Sequence, residues 1–453
     1  MTASMESTTR RRLLTTLKAA PLLAAPAFLA ACGAQLDAGG AAKPATLRPD
    51  VTLQLLLDLG AAFQPQFETG LNRWRQANPG GPKIEYSTGA VAVVLEKTQA
   101  QLAGGTPPDI IQQEAAGAIS LIGKNQLLPL DAFIKRDKFD LSDFFERSYP
   151  QYEWKGKKHG ISKGMSNQSL YVNQTLFDQA GVTLPPVKSN ATGWDFDTFV
   201  RTAERLTKRS GSDTTQWGFV LGRALRGGFG QWVRANGGDL FDKDFTKCTL
   251  GEVRAVEALQ FMQDLMYKFR VAPTPKEEVA GGGPAPLFIN QGIVGMRIDP
   301  VSGLAAHRAA TFQWDLAVNP TGNGTSGKRV TTGGGQAWLI PSASKNHEEA
   351  WAFLKHATTV ESVKEMSVTW YPARKSALEW LLAQDPQLAP KNRGVGLEGQ
   401  GTMAFDPIFP AYSEIQTSII MPELAPLWEN QKTAAQVIES LVPKVNAALK
   451  TMG

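Results

Sequence analysis

Val51-Thr52-Leu53-Gln54-Leu55-Leu56-Leu57 is an apolar run of strand length, and the residues from there to Ile111 decide the fold. A continuous run of this kind suits a parallel strand buried on both faces. From 67 to 78 the spacing turns helical, with Phe67, Leu71 and Trp74 on one face, and Asn78-Pro79-Gly80-Gly81-Pro82 stops the helix. Residues 83–87 form a second short strand, 91–103 a second helix, and Asp109-Ile110-Ile111 a third strand. Strand–helix–strand–helix–strand in this rhythm predicts a parallel sheet with crossover helices, hence an α/β fold.

Further elements extend outward from this block. A helix is expected over 119–130, a turn at Gly156–Gly160 and a strand over 169–172. A short helix over 174–179 is closed by Gly181. The amphipathic stretch 195–209 has Asp195 as its N-cap. Gly333-Gly334-Gly335 stands just before a strand over 337–340. Helices follow over 347–357 and 433–449. With 453 residues the chain is too long for one compact core, so two lobes are expected.

Upstream, Thr9-Arg10-Arg11-Arg12-Leu13-Leu14 is a basic head, followed by an apolar stretch to Ala31 and by Leu29-Ala30-Ala31-Cys32. This order is that of an export signal, and the stretch is too short to span a bilayer as a mature helix. The arginine pair resembles a twin-arginine signal and Leu-Ala-Ala-Cys resembles a bacterial lipobox. That resemblance implies a signal over 1–31, cleavage before Cys32, lipid on Cys32 and a flexible Ala/Gly/Pro-rich tether over 32–49. The mature protein would then sit outside the cytoplasm, anchored to the membrane.

The formal charge of +5 owes more than half its excess to Arg10, Arg11, Arg12 and Lys18 against Glu6. The remainder lacks the dense basic face of a nucleic-acid binder. If Cys32 carries lipid, Cys248 has no partner and the fold must hold without disulfides. Gly322-Asn323-Gly324-Thr325-Ser326-Gly327-Lys328 has the spacing of a phosphate loop, but Arg329 replaces the Ser or Thr that would bind magnesium, so it reads as a surface turn. The four His lack the spacing of a metal site, and neither a nucleophile elbow nor a Cys–His pairing asks for an enzyme. No cofactor is expected. Eleven Trp are available to pack on sugar rings, although most Trp in a chain of this length serve the core.

Several short motifs then occur in a telling order. These are Gly104-Gly105-Thr106-Pro107-Pro108-Asp109-Ile110, Gly123 to Asp131 with its Leu-Leu-Pro-Leu-Asp, and Tyr171-Val172-Asn173-Gln174-Thr175-Leu176-Phe177 with Ala180-Gly181 and Pro185-Pro186. Phe288 to Met296, Gly334-Gly335 with Ala350-Trp351-Ala352-Phe353-Leu354-Lys355, and Pro372-Ala373-Arg374 follow. In this order they resemble the family 1 extracellular solute-binding proteins, the receptors of sugar-type ABC importers. The chain departs from the family pattern at Val172 and at Asp58-Leu59-Gly60, where Tyr and Trp are usual.

The resemblance implies a periplasmic-binding-protein-like (type II) fold with a ligand cleft between two lobes joined by hinge strands. It places lobe 1 over 50–162 plus 317–363 and lobe 2 over 163–316 plus 364–453. Ligands sit at the carboxyl ends of strands in such sheets. The candidate ligand-binding residues are therefore Asp58, Gln113, Glu114, Asn167, Trp232, Asp299, Gly334, Tyr371 and Tyr412. Trp232 or a Tyr would stack on a sugar ring, and the loop Ser166-Asn167-Gln168 would supply polar contacts. The function implied is capture of a mono- or oligosaccharide by a monomeric, lipid-anchored receptor that delivers it to ABC permease subunits. Alternatives are a receptor for glycerol phosphate or another small polar solute, to which an Arg223 or Arg226 contact with phosphate would point, and an exported glycan-acting enzyme. A sensor partner of a membrane kinase or chemoreceptor is a third.

Overall fold

The computed structural model describes residues 46–60, 64–366, 371–383 and 390–452. The expected export signal, Cys32 and most of the expected tether lie outside the described residues.

Strand β1 (Thr52–Asp58) pairs in parallel with β2 (Lys83–Gly89) on one side and β3 (Ile110–Glu114) on the other. Helices Gln64–Ala77 and Val91–Ala103 make the crossovers, the first burying Phe67, Leu71 and Trp74. Side chains alternate across a strand, so Leu53, Leu55 and Leu57 join one core with Phe67, Trp74, Trp338 and Trp351, while Leu56 joins another with Val94, Ile111, Ile119 and Leu339. The consecutive apolar residues Leu55, Leu56 and Leu57 exist because both faces of β1 are covered there, while Gln54 is exposed.

A hairpin of β4 (Glu153–Trp154) and β5 (Lys157–Lys158) precedes β6 (Gly160–Asn173), which is buried along its whole length. Then come β7 (Lys208–Ser210), β8 (Asp213–Val220), β9 (Val294–Pro300), β10 (Trp314–Ala317), β11 (Thr331–Leu339), β12 (Tyr371–Pro372) and β13 (Met403–Phe405). The sheet order is β2-β1-β3-β11-β6-β9-β8-β7, with β10 and β12 against β6 and β13 against β11. β6 changes partner midway. Its residues Gly160 to Asn167 pair with β11, and Gln168 to Val172 pair with β9. Beyond that change lies the largest core, containing Leu170, Phe177, Phe199, Phe219, Leu259, Met296, Tyr412 and Leu441.

Helix Phe196–Leu206 begins where expected, with the Asp195 carboxylate accepting from the Thr198 amide at 2.9 Å. Gly181 closes Gln174–Ala180 at φ 59°, a left-handed conformation that suits glycine. His347–Ala357 forms over its expected span.

Three expectations need correction. Ser166-Asn167-Gln168 is not a loop but the middle of β6. The glycines 333–335 lie inside β11 rather than before it, because the backbones pack too closely there for side chains: a Cβ on Gly333 would overlap the Ser166 carbonyl, and one on Gly335 would stand 3.0 Å from the Gly164 carbonyl. The helix expected over 119–130 is instead Ala115–Gly123, because Leu127 and Leu128 leave to bond Pro341 and the Ile340 carbonyl. Cys248 is a free, buried thiol, pushed up to about 11 by that burial.

Candidate functional site

β1 and β3 end side by side in two carboxylates, Asp58 and Glu114, beside the crossing strands β6 and β11. The Asp58 carboxylate accepts from the Gln336 side-chain amide of β11. The same amide's oxygen accepts from Lys163 Nζ of β6 at 3.3 Å, and Gln112 Oε1 stands 3.5 Å from that ammonium. Burial pulls Lys163 down to about 8 against the opposing pull of Asp58. Burial likewise raises Asp58, with Lys163 counteracting and Glu114 adding to the rise.

Arg226 reaches this seam from the turn between β8 and helix Gly230–Ala235. Its flanking residues Leu225 and Phe229 are anchored in the large core, and the Gly227 amide donates to Thr332 Oγ1 of β11 at 3.1 Å. Arg226 Nη1 donates to Glu114 Oε2 at 2.7 Å. Its Nε and Nη2 donate to the two oxygens of Asp406 at 3.1 and 2.5 Å. The guanidinium rests on Gly334, where a Cβ would overlap Nη2. The next residue, Gly335, donates its amide to Gln151 Oε1 at 2.9 Å. Gln151 Nε2 and the Tyr152 hydroxyl, both buried, have no hydrogen-bond partner. Each lies 3.4 Å from the position of a Gly335 Cβ. Burial drives the Tyr152 hydroxyl well up, and the charges of Glu114, Arg226 and Asp406 all reach it. Buried polar groups are normally paired, and these two unpaired ones face the same strand.

Of the predicted site residues, the fold brings Asp58, Glu114 and Gly334 together here. Gln113 backs them, buried and donating to the Val91 carbonyl at 3.0 Å. Asn167 lies on β6 where that strand changes partner, its Nδ2 donating to Ser169 Oγ at 3.3 Å and its Oδ1 unpaired. Asp299 forms a separate group, 2.8 Å from Arg297 and 3.5 Å from His307 Nε2, and burial raises it to about 6. Burial lowers His307 to about 4.

The aromatic residues are interior. Trp232 packs among Phe196, Phe199, Phe219 and Phe261 at 1% exposure, so no ring face is open for a ligand, and the sequence-based choice of a stacking residue is corrected. Tyr371 is buried on β12 and donates to the Arg393 carbonyl at 2.6 Å. Tyr412 is buried against Phe241 and Phe409. Sequence reasoning missed Lys163, Gln336, Gln151, Tyr152 and Asp406. Lys163 carried a signal, a lone cation between Ile161 and Met165 in what is a wholly buried strand.

Among the described residues no group of three or more His, Cys, Asp or Glu is placed to hold a metal ion, and no helix is long and apolar enough to cross a membrane.

β6 runs from one core, at Ile161, into another, at Leu170, with the polar seam beside it. Residues 55–364 match the bacterial extracellular solute-binding protein family, and the chain belongs to that family. An arabinooligosaccharide-binding protein of Halalkalibacterium halodurans is 24% identical over 66% of this chain and 65% of its own. A putative binding protein of Brucella abortus is 25% identical over 66% and 69%. An ABC substrate-binding protein of Listeria monocytogenes, solved with cycloalternan, superposes with a TM-score of 0.78 at 24% identity, covering 89% of this chain and all of the other. A maltose-bound protein of T. maritima gives 0.72 at 20% identity, covering 89% and 100%. The fold is therefore of the type II periplasmic-binding-protein kind.

Proposed function

We propose that this protein is the receptor of an ABC importer for a carbohydrate, most suitably an oligosaccharide, captured at the seam and handed to membrane permease subunits. The observation that carries the reading is the set of unpaired, buried Gln151 Nε2 and Tyr152 hydroxyl beside the carboxylates Asp58, Glu114 and Asp406. Sugar hydroxyls both donate and accept, so such a set meets them in both roles. Relatives whose names or structures specify cycloalternan, maltose and arabinooligosaccharides support it. The lobes would be 50–162 plus 317–363 and 163–316 plus 364–453, closing on the ligand as a hinge and returning it unchanged. The receptor would be a monomer held outside the cytoplasmic membrane by lipid on Cys32.

The glycerol phosphate alternative asked for a free arginine. Arg223 is held by both oxygens of Glu278 at 2.8 and 2.7 Å, and Arg226 by Glu114 and Asp406, which favours the sugar reading.

The test is thermal unfolding of the full-length protein against mono- and oligosaccharides, polyols, glycerol phosphates and amino acids. A ligand at about 100 times its Kd stabilises the folded state by about 2.7 kcal/mol. A midpoint shift with a saccharide recovered intact is the expected result. A shift with phosphates alone, or conversion of the sugar to product, would overturn it in favour of the polyol-phosphate or enzyme alternative.

A further inference from the structure

We propose that Glu114, Arg226 and Asp406 form a charge filter at the seam, admitting uncharged glycans and turning away those that carry carboxylates or phosphates. The proposal takes its ligand class from the carbohydrate reading above, but its anion test stands apart from that reading.

An arginine in a binding cleft is ordinarily an anion site, since its planar fork matches a carboxylate or phosphate. Here the fork is already filled. Nη1 bonds Glu114 at 2.7 Å, and Nε and Nη2 engage both oxygens of Asp406. Two carboxylates on one guanidinium leave a net negative charge. The adjacent pair adds nothing to offset it, because the Lys163 ammonium faces the Asp58 carboxylate through Gln336. Arg223, three residues before Arg226, is committed to Glu278. An anionic substituent entering the seam therefore meets Glu114 and Asp406 with Arg226 and Lys163 already matched, while Arg147, over the Phe405 ring, is held on the Gln400 and Gly401 carbonyls. The site is partly buried (Arg226 side chain 21% exposed, Asp406 9%), so water screens the repulsion less than it would at the surface. A neutral hydroxyl meets no such penalty and finds both donors and acceptors.

Gly334 makes the arrangement possible. Any side chain there would strike the guanidinium, so only glycine lets Arg226 lie against β11 between its two acids. The filter is thus built from three places in the chain: the end of β3, the turn after β8 and the residue after β13.

Titration calorimetry of the full-length protein tests this with maltotriose and mannotriose as uncharged probes and trigalacturonate and glycerol 3-phosphate as anionic ones. In the wild type, the anionic probes are expected to bind at least about tenfold more weakly than the better uncharged one, as like charges brought together oppose binding. Glu114→Gln and Asp406→Asn, checked for fold by circular dichroism, are expected to raise affinity for the anionic probes at least about tenfold. That gain should shrink with added salt. Wild-type protein that binds an anionic probe as tightly as the uncharged ones overturns the proposal without any variant. Folded variants that gain nothing for anions overturn it as well. If no uncharged probe binds but the variants acquire anion binding, the filter stands and the carbohydrate reading falls.

Discussion

Asp58 and Lys163 are joined through one side-chain amide. Gln336 donates its Nε2 to the carboxylate and accepts the ammonium on its Oε1, so the end of β1, the first half of β6 and the middle of β11 meet at a single polar link.

That link gives a pH dependence. Burial holds Lys163 at about 8, below the ordinary lysine value of about 10.4, so the unfolded chain binds more protons between those limits. The contribution of Lys163 to stability therefore rises with pH across that window. Urea unfolding from pH 7 to 10 reads this trend, and Lys163→Met should flatten it.

A second titration is expected from Asp299 and His307. Asp299, at about 6 when folded, holds a proton that the unfolded carboxylate has lost, so its contribution falls as pH rises from about 4 to 6. His307, at about 4 when folded, is neutral where the unfolded imidazole is charged, so its contribution rises from about 4 to 6.5. The two oppose one another. Asp299→Asn should steepen the rise of stability with pH over this range, and His307→Asn should turn it toward a fall. Urea midpoints at pH 4.5, 5.5 and 6.5 measure both.

Tyr152→Phe separates a binding hydroxyl from a structural one. The hydroxyl is buried and unpaired, so removing it should leave the empty protein as stable as before or up to about 1 kcal/mol more stable. Loss of a bond to a sugar should cost about five- to tenfold in affinity. A drop in stability with unchanged affinity would place the hydroxyl in the core rather than the site.

Trp232 should behave in the opposite way. Trp232→Phe should lower stability by about 1–3 kcal/mol through the cavity it leaves and keep the sugar Kd within about twofold. A large loss of affinity in the folded variant would restore it to the site.

Gly218→Ala tests how closely strand and helix approach. A methyl group there would overlap the Ala203 carbonyl of helix Phe196–Leu206, so about 1–3 kcal/mol or more of stability should be lost by chemical denaturation.

Much of the fold was legible because its signals are local. Leu53 to Leu57, the Phe67–Leu71–Trp74 stripe, the Asp195 cap and Gly181 each act through their own neighbours. The length of β6 was not, because Ser162, Lys163, Ser166, Asn167 and Gln168 are polar residues buried by strands distant in sequence. The three glycines of β11 looked like a loop for a related reason: what they serve is the approach of another backbone. The site divided in the same way. Asp58 and Glu114 could be found because they end strands. Asp406, Gln151 and Tyr152 meet them only through tertiary contacts, and Trp232 misled because its type suits sugar rings and cores equally.

β6 also makes the molecule intolerant of small insertions at its midpoint. One extra residue between Gln168 and Ser169 would turn every later side chain of the strand to the opposite face. Leu170 and Val172 would exchange places with Tyr171, and the pairings with both β9 and β10 would shift together. Length variation should therefore be borne by exposed turns such as Gly211-Ser212 between β7 and β8, while the spacing between the ends of β6 stays fixed.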